Sequence, residues 1–229
     1  MKNVIIITDF LVKRFILSTY LYFIRHGESI GNINRICLGH TDLDLTEKGR
    51  AQAALAGDAL SDVVFSKIYS SDLIRAYNTA LPHAEKRGME IVATKELREL
   101  YFGKWENCSV DWLIENFHDD FMIGWRKRFG DFVAPDGESV SAMADRMCSF
   151  AAKVAKEGQG TNILLASHAA AIRAMWARLC GIEPSEVGVK LPFPANASYS
   201  IVEWDGERLI PVSYSNDLHL GDLTSPVPG

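Results

Sequence analysis

Cysteine is scarce in this 229-residue chain: Cys37, Cys108, Cys148 and Cys180 lie far apart and form no Cys-x-x-Cys pair. That speaks against a disulfide framework or a zinc knuckle and fits reduced thiols in a cytoplasmic setting. An excess of positive charge is missing too. With 24 Lys and Arg against 29 Asp and Glu, the net charge is -5. A nucleic-acid partner is not expected, and an acidic ligand must be drawn by a local group of arginines. Long apolar runs are absent. The apolar start from Val4 to Ile7 is followed by Asp9, Lys13 and Arg14, too short and too charged to span a bilayer, and no small-residue cleavage site follows. Residues 1–17 are therefore expected to form an extension of uncertain structure, an extra strand or a short amphipathic segment. A single domain is expected over residues 18–216. From Asp217 onward the chain, with Pro226 and Pro228, reads as a tail that clings to the surface or frays.

What is present is a 48% hydrophobic chain with no repeat, ample for a buried core. Strand-like and helix-like stretches alternate, which predicts a layered α/β fold with a largely parallel sheet. Strands are expected at residues 19–25, 63–69, 90–93, 161–166, and as a closing hairpin at 197–204 and 209–213 around Asp205-Gly206. Thr46 is expected to cap a helix to residue 60 with Leu55, Ala59 and Leu60 on its apolar face. Ser71 or Asp72 is expected to cap a second helix, kinked or interrupted at Pro82. Ser139 is expected to cap a third, striped by Val140, Met143, Met147, Phe150 and Val154. A fourth is expected over residues 169–179. Residues 100–135 read as irregular and aromatic-rich.

The most informative stretch is Leu21-Tyr22-Phe23-Ile24-Arg25-His26-Gly27-Glu28-Ser29. An apolar strand ends in a guanidinium and an imidazole, at the strand end where open α/β sheets bind ligands. Arg25 can hold a phosphate by two parallel hydrogen bonds, and His26 can act as base, acid or nucleophile. Gly27 reads as a turn that lets a ligand come close. A second apolar strand stops at Ser167-His168. A third ends at Tyr69-Ser70-Ser71-Asp72, with Arg75 near a helix N-terminus that favours anions. Two histidines, two arginines and a helix terminus around one crevice describe a phosphoryl site. Two other patterns carry less. Gly27-Glu28-Ser29-Ile30-Gly31 matches the serine-hydrolase elbow, but only one strong strand precedes it, where that fold needs several. His40, Asp42 and Asp44 have no metal-ligand spacing, so no metal is expected.

More of the chain follows one order: Arg25-His26-Gly27-Glu28-Ser29 with Asn32; Gly39-His40-Thr41-Asp42 with Leu45-Thr46-Glu47-Lys48-Gly49; Ser70-Ser71-Asp72-Leu73-Ile74-Arg75-Ala76 with Thr79-Ala80. It continues through Glu99, Phe102-Gly103-Lys104-Trp105-Glu106, Asp136-Gly137-Glu138-Ser139, Ser167-His168 with Ile172-Arg173, and Asn196-Ala197-Ser198. Each motif is weak alone; the ordered set, from about residue 19 to residue 204, resembles the histidine phosphatase superfamily in its phosphoglycerate-mutase-like branch. The resemblance implies a three-layer α/β/α sandwich with a mostly parallel central sheet. It implies that His26 is a nucleophile forming a phosphohistidine, and that Glu99 is the proton donor. Arg25, Arg75, His168, Asn32 and the Ala169 position would hold the phosphoryl group, without metal or cofactor.

The chain departs from the family pattern at Ala169, Ala170 and Ala171, where glycines are frequent, at Asn107, where glycine is common, and at His40. These departures bear on substrate fit. Tyr101-Phe102-Gly103-Lys104-Trp105-Glu106, with the short stretch between Glu99 and His168, is more like the compact phosphatases acting on small phosphomonoesters than like phosphoglycerate mutases. A mutase remains the alternative; a non-catalytic phosphate-binding module would usually have lost His26, Glu99 or His168. The aromatic segment over residues 100–137 has two readings that stay open, a specificity lid over the site or a local core. Trp125-Arg126-Lys127-Arg128 could add anionic recognition, but reads first as a solvated charged face. The expected partner is a small phosphorylated substrate, with the protein a monomer or homodimer.

Overall fold

The computed structural model describes residues 18–225, so the expected extension over residues 1–17 lies outside the described residues. The strands are β1 (Thr19–Arg25), β2 (Phe65–Ser71), β3 (Ile91–Thr94), β4 (Asn162–Ser167), β5 (Tyr199–Trp204) and β6 (Leu209–Asn216). They form one sheet in the order β3-β2-β4-β1-β5-β6. β1 with β4, β2 with β4 and β2 with β3 are parallel, whereas β5 is antiparallel to β1 and to β6. The helices are α1 (Ile30–Ile33), α2 (Glu47–Ala59), α3 (Ile74–Glu85), α4 (Val110–Asn116), α5 (Val140–Glu157), α6 (Ala169–Leu179) and α7 (Val187–Lys190).

Strand alternation sends successive side chains to opposite faces, and each face has its own core. Ile24, Ile68, Leu164 and Ala166 pack under Ala56 and Leu60 of the α2 segment and Ala76, Ala80 and Ala84 of α3. Leu21, Phe23, Ile163 and Leu165 pack against Met143, Met147 and Val154 of α5 and Ala171 and Met175 of α6. The fold is a three-layer α/β/α sandwich with a mostly parallel sheet. The register decides the site: Arg25 lies opposite Ser167, so β1 and β4 stop at the same level.

Several local expectations are corrected. β2 begins two residues later than expected, because Val63 still belongs to the turn closing α2, its N–H donating to Leu60 at 3.1 Å. Thr46 caps α2 as expected, its Oγ1 accepting the Gly49 N–H at 3.0 Å. The buried face of that helix, however, is Gln52, Ala53, Ala56 and Gly57; Ala59 is exposed. Neither Ser71 nor Asp72 caps α3. Leu73 stands at the cap, and the Ile74 N–H donates 2.7 Å to the carboxylate of Asp42, from a distant loop. Asp72 instead holds Arg98 through two hydrogen bonds. Pro82 does not interrupt α3, which runs on to Glu85. Its ring faces Gly57, where a Cβ would come within 3.3 Å of the Pro82 Cβ.

Ser139 caps α5, accepting the Ala142 N–H at 3.0 Å, and the stripe is buried except at Phe150, which is half-buried with its ring edge-on to Tyr69 at 5.4 Å. Residues 100–135 are not irregular. They hold α4, a nine-residue π-helical stretch (Asp119–Lys127) and short 3-10 turns at Gly103–Trp105 and Phe129–Asp131. Local periodicity missed these because tertiary packing makes them. Trp105, 1% exposed, gathers Phe121 at 5.9 Å and Phe132 at 5.2 Å, and this aromatic core is continuous with the α5–α6 side of the sheet. Beyond β6 the chain turns at Leu218–Leu223 and lies against α2, where Gln52 Nε2 donates to the Leu223 carbonyl at 2.7 Å. No helix among the described residues is long and apolar enough to cross a membrane.

Candidate active site

β1 and β4 end side by side, and the residue after each strand is a histidine. The His26 N–H donates to the Ser167 carbonyl at 3.0 Å, and the rings of His26 and His168 stand 5.2 Å apart. His26 Nδ1 lies 2.7 Å from the Gly27 carbonyl. A carbonyl only accepts, so Nδ1 carries the proton and Nε2 keeps its lone pair. Burial, then Arg75 and Arg25, hold the His26 pKa well below the ordinary histidine value, so the ring is neutral. His168 is likewise held down, by burial, Arg75 and His26 in that order.

Gly27 has a different task from the one the sequence implied. A Cβ there would come within 2.4 Å of the Gly49 carbonyl oxygen, so the glycine admits the backbone of α2 and not the ligand. Its N–H donates to Thr79 Oγ1 at 3.0 Å, which ties the strand end to α3.

The two arginines are buried and aimed by carbonyls. Arg25 Nη1 donates to the Pro194 carbonyl at 2.6 Å; Arg75 Nη1 and Nη2 donate to those of Thr41 and Gly39, each at 2.8 Å. Arg25 Nε, Arg75 Nε and both His168 nitrogens have no hydrogen-bond partner among the described residues. Burial lowers each guanidinium pKa to about 10, so both stay charged at neutral pH. Asn32 Oδ1 accepts from Ser29 N at 3.0 Å and Asn196 Nδ2 at 3.3 Å, leaving its Nδ2 donor for a ligand.

Glu99 reaches the same place from the loop after β3. Arg98 paired with Asp72, and Arg146 donating to the Glu96 and Arg98 carbonyls at 2.7 and 3.1 Å, hold that loop. The Glu99 carboxylate accepts the N–H groups of Leu100 at 2.9 Å and of Ala170 and Ala171 at 3.1 Å, at the N-terminus of α6.

Arg25, His26, Asn32, Arg75, Glu99 and Ala169 line one cavity of about 420 Å³. His168 is fully buried beside them, its ring next to that of His26. The helix terminus near Arg75 is not open to an anion, because Asp42 occupies its first N–H. The other two candidate ligands of a metal are also engaged: His40 Nε2 with the Glu99 carbonyl at 3.0 Å, and Asp44 with Asn78 at 2.7 Å and with Arg50. Sequence reasoning assigned no role to Thr79, Pro194 or Asn196, whose signal is backbone support visible only in three dimensions. Of the two readings of residues 125–128, a solvated face comes first, but Arg126 lines the cavity, as the second, anionic recognition, requires. Asn107, in place of the frequent glycine, adopts φ 64°, a conformation asparagine tolerates.

The model of the histidine phosphatase superfamily, branch 1, matches residues 21–217. Phosphoserine phosphatase 1 of Hydrogenobacter thermophilus is 31% identical over 204 residues, covering 89% of this chain and 95% of that one. A probable phosphoglycerate mutase, GpmB, of Salmonella arizonae is 33% identical over 166 residues, covering 71% and 75%. A mycobacterial glucosyl-3-phosphoglycerate phosphatase solved with VO3 superposes with a TM-score of 0.78 at 27% identity, over 86% of this chain and 98% of that one. With its two strand-end histidines, its buried arginines and a model match over most of its length, the chain belongs to the histidine phosphatase superfamily, branch 1.

Proposed function

We propose that this protein is a phosphomonoesterase that hydrolyses a small phosphorylated metabolite through a phosphohistidine on His26. The observation that carries the reading is the His26 Nδ1–Gly27 carbonyl contact of 2.7 Å beside two buried guanidiniums with unpartnered Nε atoms. Nε2 of a neutral, oriented imidazole attacks phosphorus; a P–N bond forms and the ester P–O bond breaks. Arg25, Arg75, Asn32 and the Ala169 end of α6 hold the phosphoryl oxygens, and His168, whose ring nitrogens have no partner among the described residues, donates to one of them. Phosphoryl transfer needs chiefly positioning and charge compensation, and these preset donors supply both without a metal. Glu99 gives a proton to the leaving oxygen, then takes one from the water that cleaves the P–N bond, releasing phosphate and restoring His26. For either step it exchanges a backbone N–H partner for the reacting oxygen.

Likeness to a phosphoserine phosphatase over 89% of the chain supports hydrolysis, while the GpmB likeness keeps phosphoglycerate rearrangement as the second reading. The test is phosphate release from an aryl phosphate in EDTA, with and without vanadate, beside a run on phosphoglycerate isomers with and without bisphosphoglycerate. Hydrolysis that survives EDTA and stops with vanadate is the expected result. Isomer exchange that depends on bisphosphoglycerate, with little free phosphate, would make the protein a mutase.

A further inference from the structure

The cavity is far larger than a phosphoryl group, and its outer wall differs from its floor. Phe102, Phe121, Trp125 and Phe193 form that wall, with ring centroids of Phe102 and Trp125 4.9 Å apart and of Trp125 and Phe193 5.8 Å apart. At these spacings the rings pack on one another and hold the wall in place, and the ring surface they turn to the cavity suits a flat apolar group. Charge in the wall is one-sided: four arginines (Arg25, Arg75, Arg126, Arg173) stand against the single carboxylate of Glu99, in a chain whose net charge is -5. The Glu99 oxygens are engaged by three backbone N–H groups.

Arg25 and Arg75 belong to the phosphoryl floor. Arg173, 2% exposed, is built into the wall: its Nε donates to Leu191 at 2.7 Å, its Nη2 to Val187 at 3.0 Å, and its guanidinium stacks on Phe129 and Phe193. Its Nη1 is buried without a partner among the described residues. Arg126 is different. Its guanidinium has no hydrogen bond or ion pair among the described residues, where its one aromatic contact is Phe121, 5.5 Å away. The charged group that approaches it, Arg35, has the same sign and is itself paired with Asp111. A half-buried guanidinium with no counter-ion among the described residues is free to take an anion, and its planar fork suits a carboxylate.

We propose that the leaving group of the substrate is a planar apolar body carrying a second anionic group, a carboxylate, which Arg126 binds while the phosphoryl group sits on Arg25 and Arg75. This rests on the reading of the cavity floor as the phosphoryl site. Arg173 acts as a positioning residue, holding Phe193 and adding positive potential.

Calorimetric binding of two non-hydrolysable probes tests it, benzylphosphonate and 4-carboxybenzylphosphonate. The wild type is expected to bind the carboxylated probe about tenfold more tightly, the scale of one desolvated charge-assisted contact. Arg126→Gln is expected to bring the ratio of the two affinities close to one, and Arg126→Lys to recover part of it. Equal binding by the wild type, or a ratio that survives Arg126→Gln, would overturn the proposal; the wild-type ratio decides it even if a variant misfolds. The proposed hydrolysis is judged separately, by aryl phosphate turnover, so binding with the expected ratio but no turnover sinks that reading alone. Failure of both probes to bind sinks the phosphoryl floor and this inference together.

Discussion

Glu99 caps the helix that begins beside His168. Its carboxylate accepts the N–H groups of Ala170 and Ala171, both at 3.1 Å, so the proposed acid and the second histidine are positioned by one helix terminus. Glu99→Gln keeps an oxygen acceptor there but has no acidic proton to transfer. The value of kcat/KM, which reports the phosphorylation of His26 and not its later hydrolysis, is expected to fall by about two to three orders of magnitude for alkyl phosphates and by less than about tenfold for nitrophenyl phosphate, whose leaving oxygen needs no proton. A leaving-group series in both proteins measures this, and equal losses across it would remove the acid role.

The nucleophile prediction rests on the Gly27 carbonyl that orients His26. Acid quenching of wild-type protein mixed with labelled aryl phosphate is expected to trap phosphohistidine. His26→Asn is expected to trap none and to lose about four orders of magnitude or more in kcat. Label retained by the variant would move the nucleophile elsewhere.

His26 also predicts a pH profile. Burial and the two arginines keep its pKa well below the ordinary histidine value. The attacking nitrogen is therefore still unprotonated as pH falls through the usual histidine range. The kcat/KM profile, corrected for the substrate's own second ionisation, is expected to show no His26 limb near pH 6.5. A limb at that value that disappears in slowed His26 variants would contradict the assignment.

His83 links pH to stability. It is fully buried on α3 with neither ring nitrogen partnered among the described residues, and burial, then Arg87, His219 and Lys86, lower its pKa to about 3. In the unfolded chain it takes a proton near pH 6.5, whereas in the fold it resists until about pH 3. Stability is therefore intact above pH 6.5 and is lost progressively as pH falls between those values, by up to about 5 kcal/mol. Against the wild type, His83→Leu is expected to gain relative stability over that window in urea melts. Parallel curves for the two proteins would mean that His83 opens to water.

Gly27→Ala tests the support under His26. The added methyl group meets the Gly49 carbonyl at 2.4 Å, backbone against backbone, so strand end and α2 must separate. A loss of about 2 kcal/mol or more in stability is expected, with kcat falling further than the melting shift explains. An unchanged melt would show that the contact yields freely.

Most of the scaffold was legible before any coordinates. β1 spans Thr19–Arg25 and α6 spans Ala169–Leu179 as expected, because uniform apolar runs and a sharp polar stop leave one reading. Thr46 and Ser139 were visible as caps because capping is a local hydrogen bond between a hydroxyl and an N–H three residues on. Asp72 was misread for the same reason: a local rule proposed a cap, while the actual partner, Arg98, lies on another loop.

The sequence by itself determined the chemistry on offer. Apolar strands that break at Arg25-His26 and at Ser167-His168 put imidazoles at strand ends, because alternation and burial leave those side chains nowhere else to go. Only the tertiary structure decided how they are used. The β1–β4 register brings two histidines to 5.2 Å, carbonyls from Gly39, Thr41 and Pro194 aim the arginines, and Asp42 rather than a ligand takes the first N–H of α3. Likewise, Arg126 reads first as a solvated charge along the chain and becomes a cation without a counter-ion among the described residues, in an aromatic wall, only once residues 102, 121 and 193 close round it. Local pattern sets which groups a segment carries, but desolvation and pairing depend on neighbours far away in sequence, and those exist only after folding.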